Sequence, residues 1–148
     1  MATALIVYAS LTGNTEEIAD ILAESLEVQG VEVDIKECTS ATADEFHDYD
    51  ICVVATYTYG TDGDLPDEIV DFYEELEEED LSGKIYGALG SGDTFYDKFC
   101  QSVLDFDEQF AKTGATKGAE NVLVDLNAEE EDVKNIEAFA KSLVEKLG

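Results

Sequence analysis

Apolar positions along this chain alternate between short continuous runs and longer stretches in which they recur every three or four residues. Residues 3–9 form the first run, rich in branched side chains, which is the pattern of a strand buried on both faces. From Glu16 to Gln29 the positions Ile18, Leu22 and Leu26 line one helical face, and Gly30 is placed to end that helix. Val31, Val33 and Ile35 alternate with Glu32, Asp34 and Lys36, as in a half-covered edge strand. Residues 37–49 are polar and irregular, with a short helix expected around Ala43 to Phe46. Ile51-Cys52-Val53-Val54-Ala55 is a second buried strand. A helix with Ile69, Phe72, Tyr73 and Leu76 on its inner face follows, and the fixed φ of Pro66 suits its start. Lys84 to Gly90 reads as a strand, and Phe99, Val103, Phe106 and Phe110 as the buried face of a helix closed by Gly114. Val122, Val124 and Leu126 mark a last strand; Val133, Ile136, Ala140, Leu143 and Leu147 mark a last helix.

Five strands alternating with helices predict an α/β domain spanning 1–148, with a parallel sheet covered on both faces by right-handed crossovers. With 148 residues, 45% of them hydrophobic, the chain is long enough to bury a core. No apolar run is long enough to span a membrane, and strand-like sequence begins at once, so a cytoplasmic location is expected. Cys38, Cys52 and Cys100 have neither metal-site nor Cys-x-x-Cys spacing and read as reduced thiols. His47, the only histidine, reads as a surface residue.

Charge changes the picture most. Thirty-six acidic residues against eight basic ones, all lysine, give a net charge of −28. Nucleic acid and anionic membranes are excluded as direct partners, and proteins with basic docking surfaces would be attracted and oriented. The acidic run from Glu74 to Asp80 reads either as a solvated face or as a docking patch.

Three connections are unusual. Ser10-Leu11-Thr12-Gly13-Asn14-Thr15 joins the first strand to the first helix, the geometry in which backbone N–H groups and the helix dipole hold a phosphate. It supplies hydroxyls and an amide but no Lys or Arg, and it matches neither a Walker loop nor a Gly-x-Gly-x-x-Gly turn. A phosphate monoester therefore fits better than a nucleoside triphosphate or NAD, and a plain capped turn remains the other reading. The second connection is the long aromatic segment from Thr56 through Thr58, Tyr59 and Gly60 to Leu65, and the third runs Ser91-Gly92-Asp93-Thr94-Phe95-Tyr96-Asp97.

Tyr8 to Thr15, together with these two later loops in the same order, resembles the flavodoxin family, and the likeness spans the chain. With no insertion interrupting the last strand, it resembles the short-chain class. The resemblance implies a doubly wound fold with strand order 2-1-3-4-5 and FMN bound non-covalently at the carboxyl ends of strands one, three and four. It implies phosphate contacts from Ser10, Leu11, Thr12, Gly13, Asn14 and Thr15, with help from Thr58. Tyr59 would form the inner wall for the flavin ring and Tyr96 the outer one. Gly60 would present its peptide to N5, Asp93 and the backbone of Gly92 and Cys100 would face the pyrimidine edge, and Ser91 would belong to the same cofactor-binding loop. Many flavodoxins carry Trp at the inner position, and this chain has no Trp.

The implied function is a monomeric, soluble, low-potential one-electron carrier cycling between semiquinone and hydroquinone and serving redox proteins with basic docking surfaces. A carboxylate ~12 Å from the ring at an effective dielectric of ~40 opposes the reduced anion by ~0.7 kcal/mol, or ~30 mV per electron. The alternatives on the same fold are an FMN-dependent reductase and a dedicated activator of ribonucleotide reductase.

Overall fold

The strands fall where the apolar runs place them, with their order set by parallel pairing. β1 (Thr3–Tyr8), β2 (Glu32–Glu37), β3 (Ile51–Tyr57) and β4 (Ile85–Gly92) are joined in the order β2-β1-β3-β4. The computed structural model describes residues 2–9, 13–57, 67–92, 101–125 and 129–147. Beyond β4 the edge position is shared by β5 (Thr116–Lys117) and β6 (Val122–Asp125), both parallel to β4. The described residues include four α-helices: α1 (Asn14–Val28), α2 (Asp67–Glu77), α3 (Gln101–Lys112) and α4 (Glu130–Lys146). None of the described helices is long and apolar enough to cross a membrane.

Period-two alternation sends the strand side chains to two cores. Ala4, Ile6, Val53 and Leu89 meet Ile18, Leu22 and Leu26 of α1 and Ile136, Ala140 and Leu143 of α4. Leu5, Val7, Cys52 and Val54 face the other way, onto Phe46, Phe72, Phe106 and Phe110. That second core is aromatic: Tyr86 stacks on Phe110 at 4.9 Å and 15°, and Phe46 meets Phe72 edge-on at 5.7 Å. Each such ring contributes about 1.5–3 kcal/mol by burial alone.

The structure corrects three expectations. The first helix begins at Asn14 rather than near Glu16, so Asn14 and Thr15 belong to its first turn. Ser91 and Gly92 belong to β4 rather than to the following loop, because the pairing continues there: Ser91 lies opposite both Tyr57 and Val124, and Gly92 opposite Asp125. The last strand is split. Ile85 and Tyr86 pair with Thr116 and Lys117, whereas Leu89 pairs with Val122, so residues 118–121 bulge opposite Gly87 and Ala88. The short helix expected around Ala43 to Phe46 is present as a 3-10 turn, Ala43–Asp48, which buries Phe46 completely, and another, Cys38–Ser40, precedes it.

Candidate functional site

Parallel pairing brings the carboxyl ends of three strands to one edge. Tyr8 lies opposite Ala55 and Ala55 opposite Leu89, so β1, β3 and β4 finish side by side. The Ala9 N–H donates to the Ala55 carbonyl at 3.0 Å, extending this pairing past β1 and fixing where the next segment departs. The stretches 10–12, 58–66 and 93–100 all follow strands that end at this edge. Of the residues singled out in the sequence, Gly13, Asn14, Thr15, Ser91 and Gly92 are described here. Ser10, Leu11, Thr12, Thr58, Tyr59, Gly60, Asp93, Tyr96 and Cys100 lie outside the described residues.

Because α1 runs back from β1, its N-terminus points at the same edge. Gly13 occupies the cap position at φ +92°, where an L side chain is strained, and its carbonyl accepts the Glu17 N–H at 3.0 Å. Among the described residues no side chain caps this helix, and none lies within 4 Å of where a Cβ on Gly13 would be. A helix start with a positive dipole end, no side-chain cap and room beside the backbone fits a phosphate. Thr15 turns inward from the first turn with 1% exposure, and its Oγ1 lies 2.7 Å from Oγ of Ser91, itself 4% exposed. This hydroxyl pair reaches from α1 past β3 to the end of β4.

The surroundings are negative. Burial raises the Tyr8 phenol above its ordinary value, followed by the charges of Glu16, Glu37 and Asp20. The Cys38 thiol is pushed up to about 12 by burial first and then by Glu68 and Glu37. The Tyr57 hydroxyl donates to Glu68 Oε1 at 3.3 Å. Lys36, near the end of β2, is engaged by Glu45, whose carboxyl is held below its usual value first by that hydrogen bond and then by the Thr42 N–H. Cys52 is also pushed up to about 12, chiefly by burial, so both described thiols stay protonated and unreactive near neutral pH.

Sequence reasoning named Thr15 and Ser91 separately and missed their contact, since residues 76 positions apart carry no local sign of it. It also missed a second polar cluster. Tyr86 OH donates to Asp107 Oδ1 at 2.7 Å, and Lys117 Nζ and Asn121 Nδ2 donate to Asp107 Oδ2 at 2.9 and 3.1 Å.

Comparisons with known proteins agree with this geometry. The family model for flavodoxin matches residues 6–146. The chain is 40% identical to probable flavodoxin 1 of Bacillus subtilis (strain 168), over 97% of this chain and 91% of that protein. A flavodoxin structure from Streptococcus pneumonia TIGR4 is 60% identical with a TM-score of 0.96, over 98% of this chain and 99% of that one. A short-chain flavodoxin associated with a non-canonical PDU bacterial microcompartment is 45% identical with a TM-score of 0.97, over the full length of both chains.

Proposed function

The chain belongs to the flavodoxin family, and from that premise we propose that it holds FMN on the carboxyl edge of β1, β3 and β4 while it carries electrons between redox proteins. The observation that carries the assignment of the site is the convergence of three strand ends on one helix start that lacks a side-chain cap. The phosphate would rest on residues 10–15, with Gly13 giving close approach and Thr15 a hydroxyl. Thr58 would assist it. Tyr59 and Tyr96 would wall the ring, Gly60, Gly92, Asp93 and Cys100 would meet its polar edge, and Ser91 would lie behind them, bonded to Thr15. FMN supplies one-electron chemistry at its ring; the protein supplies position and charge environment. Glu16, Glu37 and Glu68, gathered near the strand ends, oppose an added negative charge there and so favour a low potential. The same acidity suits partners with basic docking surfaces, and a monomeric, cytoplasmic, single-domain carrier is the form this reading takes.

The test is a fluorescence-quenching titration of the apoprotein with FMN, riboflavin and FAD. FMN is expected to bind at least about a hundredfold tighter than riboflavin, since charge-assisted hydrogen bonds are worth about 1.5–3 kcal/mol each. Riboflavin binding as tightly as FMN would remove the phosphate role from residues 10–15.

A further inference from the structure

We propose that Ser91 is a positioning residue for the phosphate of FMN and acts through Thr15, an inference that rests on the phosphate reading above. A hydroxyl has one proton and two lone pairs, so a Thr–Ser contact uses one of two protons. The contact is 2.7 Å long, both residues are buried, and among the described residues each hydroxyl has only the other as partner. Two proton orders satisfy that distance. If Thr15 donates to Ser91, Thr15 turns lone pairs toward the helix start, and an anion there is repelled. If Ser91 donates to Thr15, Thr15 keeps its proton for the anion. A phosphate at the N-terminus of α1 therefore selects the order Ser91 to Thr15 to phosphate.

Ser91 is suited to hold that order. It sits in β4 between Tyr57 of β3 and Val124 of β6, so its backbone is fixed from both sides. Thr15 is the second residue of α1, with no helical turn before it to receive its hydroxyl. The bond from Ser91 selects one rotamer. The phosphate end of the site is thereby tied to the strand from which the 93–100 segment departs.

The experiment measures dissociation constants for FMN and riboflavin, with thermal unfolding of each apoprotein, in wild type, Ser91→Ala, Ser91→Thr, Thr15→Val and the double variant Thr15→Val/Ser91→Ala. Ser91→Ala is expected to weaken FMN about tenfold and riboflavin less than about twofold. Ser91→Thr should restore most of the FMN affinity, and the double variant should match Thr15→Val alone. A Ser91→Ala variant that weakens both ligands equally, or neither, overturns the inference, because the pair would then only hold α1 against β4. If Thr15→Val collapses the preference for FMN and Ser91→Ala does not, Ser91 loses its role and the phosphate reading stands. If Thr15→Val leaves the preference intact, the assignment of Thr15 to the phosphate fails, and the inference with it. Should Ser91→Ala not fold, Ser91→Cys, similar in size but a weak donor, carries the same ratio test, with a several-fold selective loss of FMN affinity expected and an unchanged ratio overturning the inference.

Discussion

β4 carries a polar link at each end, and the two differ in kind. Toward its amino end, Tyr86, Lys117 and Asn121 all donate to the Asp107 carboxylate, which engages both oxygens. Lys117 closes β5 and Asn121 precedes β6, so this cluster binds the split strand across its bulge. Toward its carboxyl end, the Thr15–Ser91 pair is neutral and has a proton left over on the edge where the ligand would sit. Donors converging on one half-buried acceptor hold the fold together. A pair left with a proton to give, at the meeting point of three strands, is where binding can be built. On the reading proposed above, structural and ligand-facing polar chemistry lie at opposite ends of one strand.

The strongest way to disturb both ends at once is between them. A Cβ on Gly90 would run into the carbonyl oxygen of Thr56, with the Thr56 carbonyl carbon and Val103 Cγ2 both at 2.9 Å. Backbone cannot yield as a flexible side chain can, so β3 and β4 would have to part. Gly90→Ala is expected to cost roughly 3 kcal/mol or more in denaturant unfolding, and to weaken FMN and riboflavin alike. A loss below about 0.5 kcal/mol would show that the two strands move apart freely and that the ends of β4 are not held by one rigid element.

Asp107 isolates the amino end. Asp107→Ala leaves three donors without their acceptor and is expected to cost about 2 kcal/mol, with the FMN-to-riboflavin affinity ratio unchanged. A changed ratio would join the two ends and dissolve the contrast. The same residue gives a pH signature. Burial pushes the Asp107 carboxyl up, but hydrogen bonds from Tyr86, Lys117 and Asn121 and the Lys117 charge outweigh it and hold it below its ordinary value. A carboxyl depressed in the folded state adds stability that is present above its unfolded pKa of about 3.9 and is lost as pH falls through the folded value. Asp107→Asn should therefore flatten part of the fall in stability below about pH 4, read from unfolding midpoints against pH. An identical acid limb in wild type and variant would contradict this.

The sequence made the alternation of elements legible because buried strands and amphipathic helices have different periods. Ile18, Leu22 and Leu26, and likewise Ile136, Ala140 and Leu143, are fully buried where the periodicity put them. Harder to read was whatever depends on a distant neighbour. Thr116–Lys117 is a strand only because Ile85 and Tyr86 lie beside it, and two polar residues carry no periodic signal. Ser91 and Gly92 resemble a loop in sequence, but Tyr57 and Val124 beside Ser91 and Asp125 beside Gly92 make them strand. Phe46 sits in a polar stretch, and its burial depends on Phe72 and Phe110 arriving from other elements. Within the candidate site, residue types alone single out 10–15 as the proposed phosphate loop, whereas the pairing of Thr15 with Ser91 needs the folded sheet.

The smallest effect concerns which end of the molecule meets a partner. The run Glu74 to Asp80 is only partly a solvated face. Glu75 accepts the Ala43 N–H at 3.1 Å, Glu79 Oε1 lies 2.8 Å from His47 Nε2, and Asp80 accepts from both the N–H and the hydroxyl of Ser82. Glu74, Glu77 and Glu78 are exposed, but α2 runs away from the carboxyl edge of the sheet, so they lie toward its opposite end. Glu16 and Glu17, exposed in the first turn of α1, lie at the site edge. A partner must approach the flavin to exchange electrons, and charges beyond a Debye length of about 10 Å at 0.1 M salt contribute little. Glu16→Gln/Glu17→Gln should therefore flatten the salt dependence of electron transfer to a basic c-type cytochrome more, per charge removed, than Glu74→Gln/Glu77→Gln/Glu78→Gln. Stability should change by less than about 1 kcal/mol in either set, the first set losing a favourable interaction with the helix dipole. Stopped-flow rates across a range of ionic strength decide it. A steeper loss of salt dependence from the α2 set would move the docking face to the amino end of the sheet, where the structural cluster lies, and would leave the site edge to ligand binding alone.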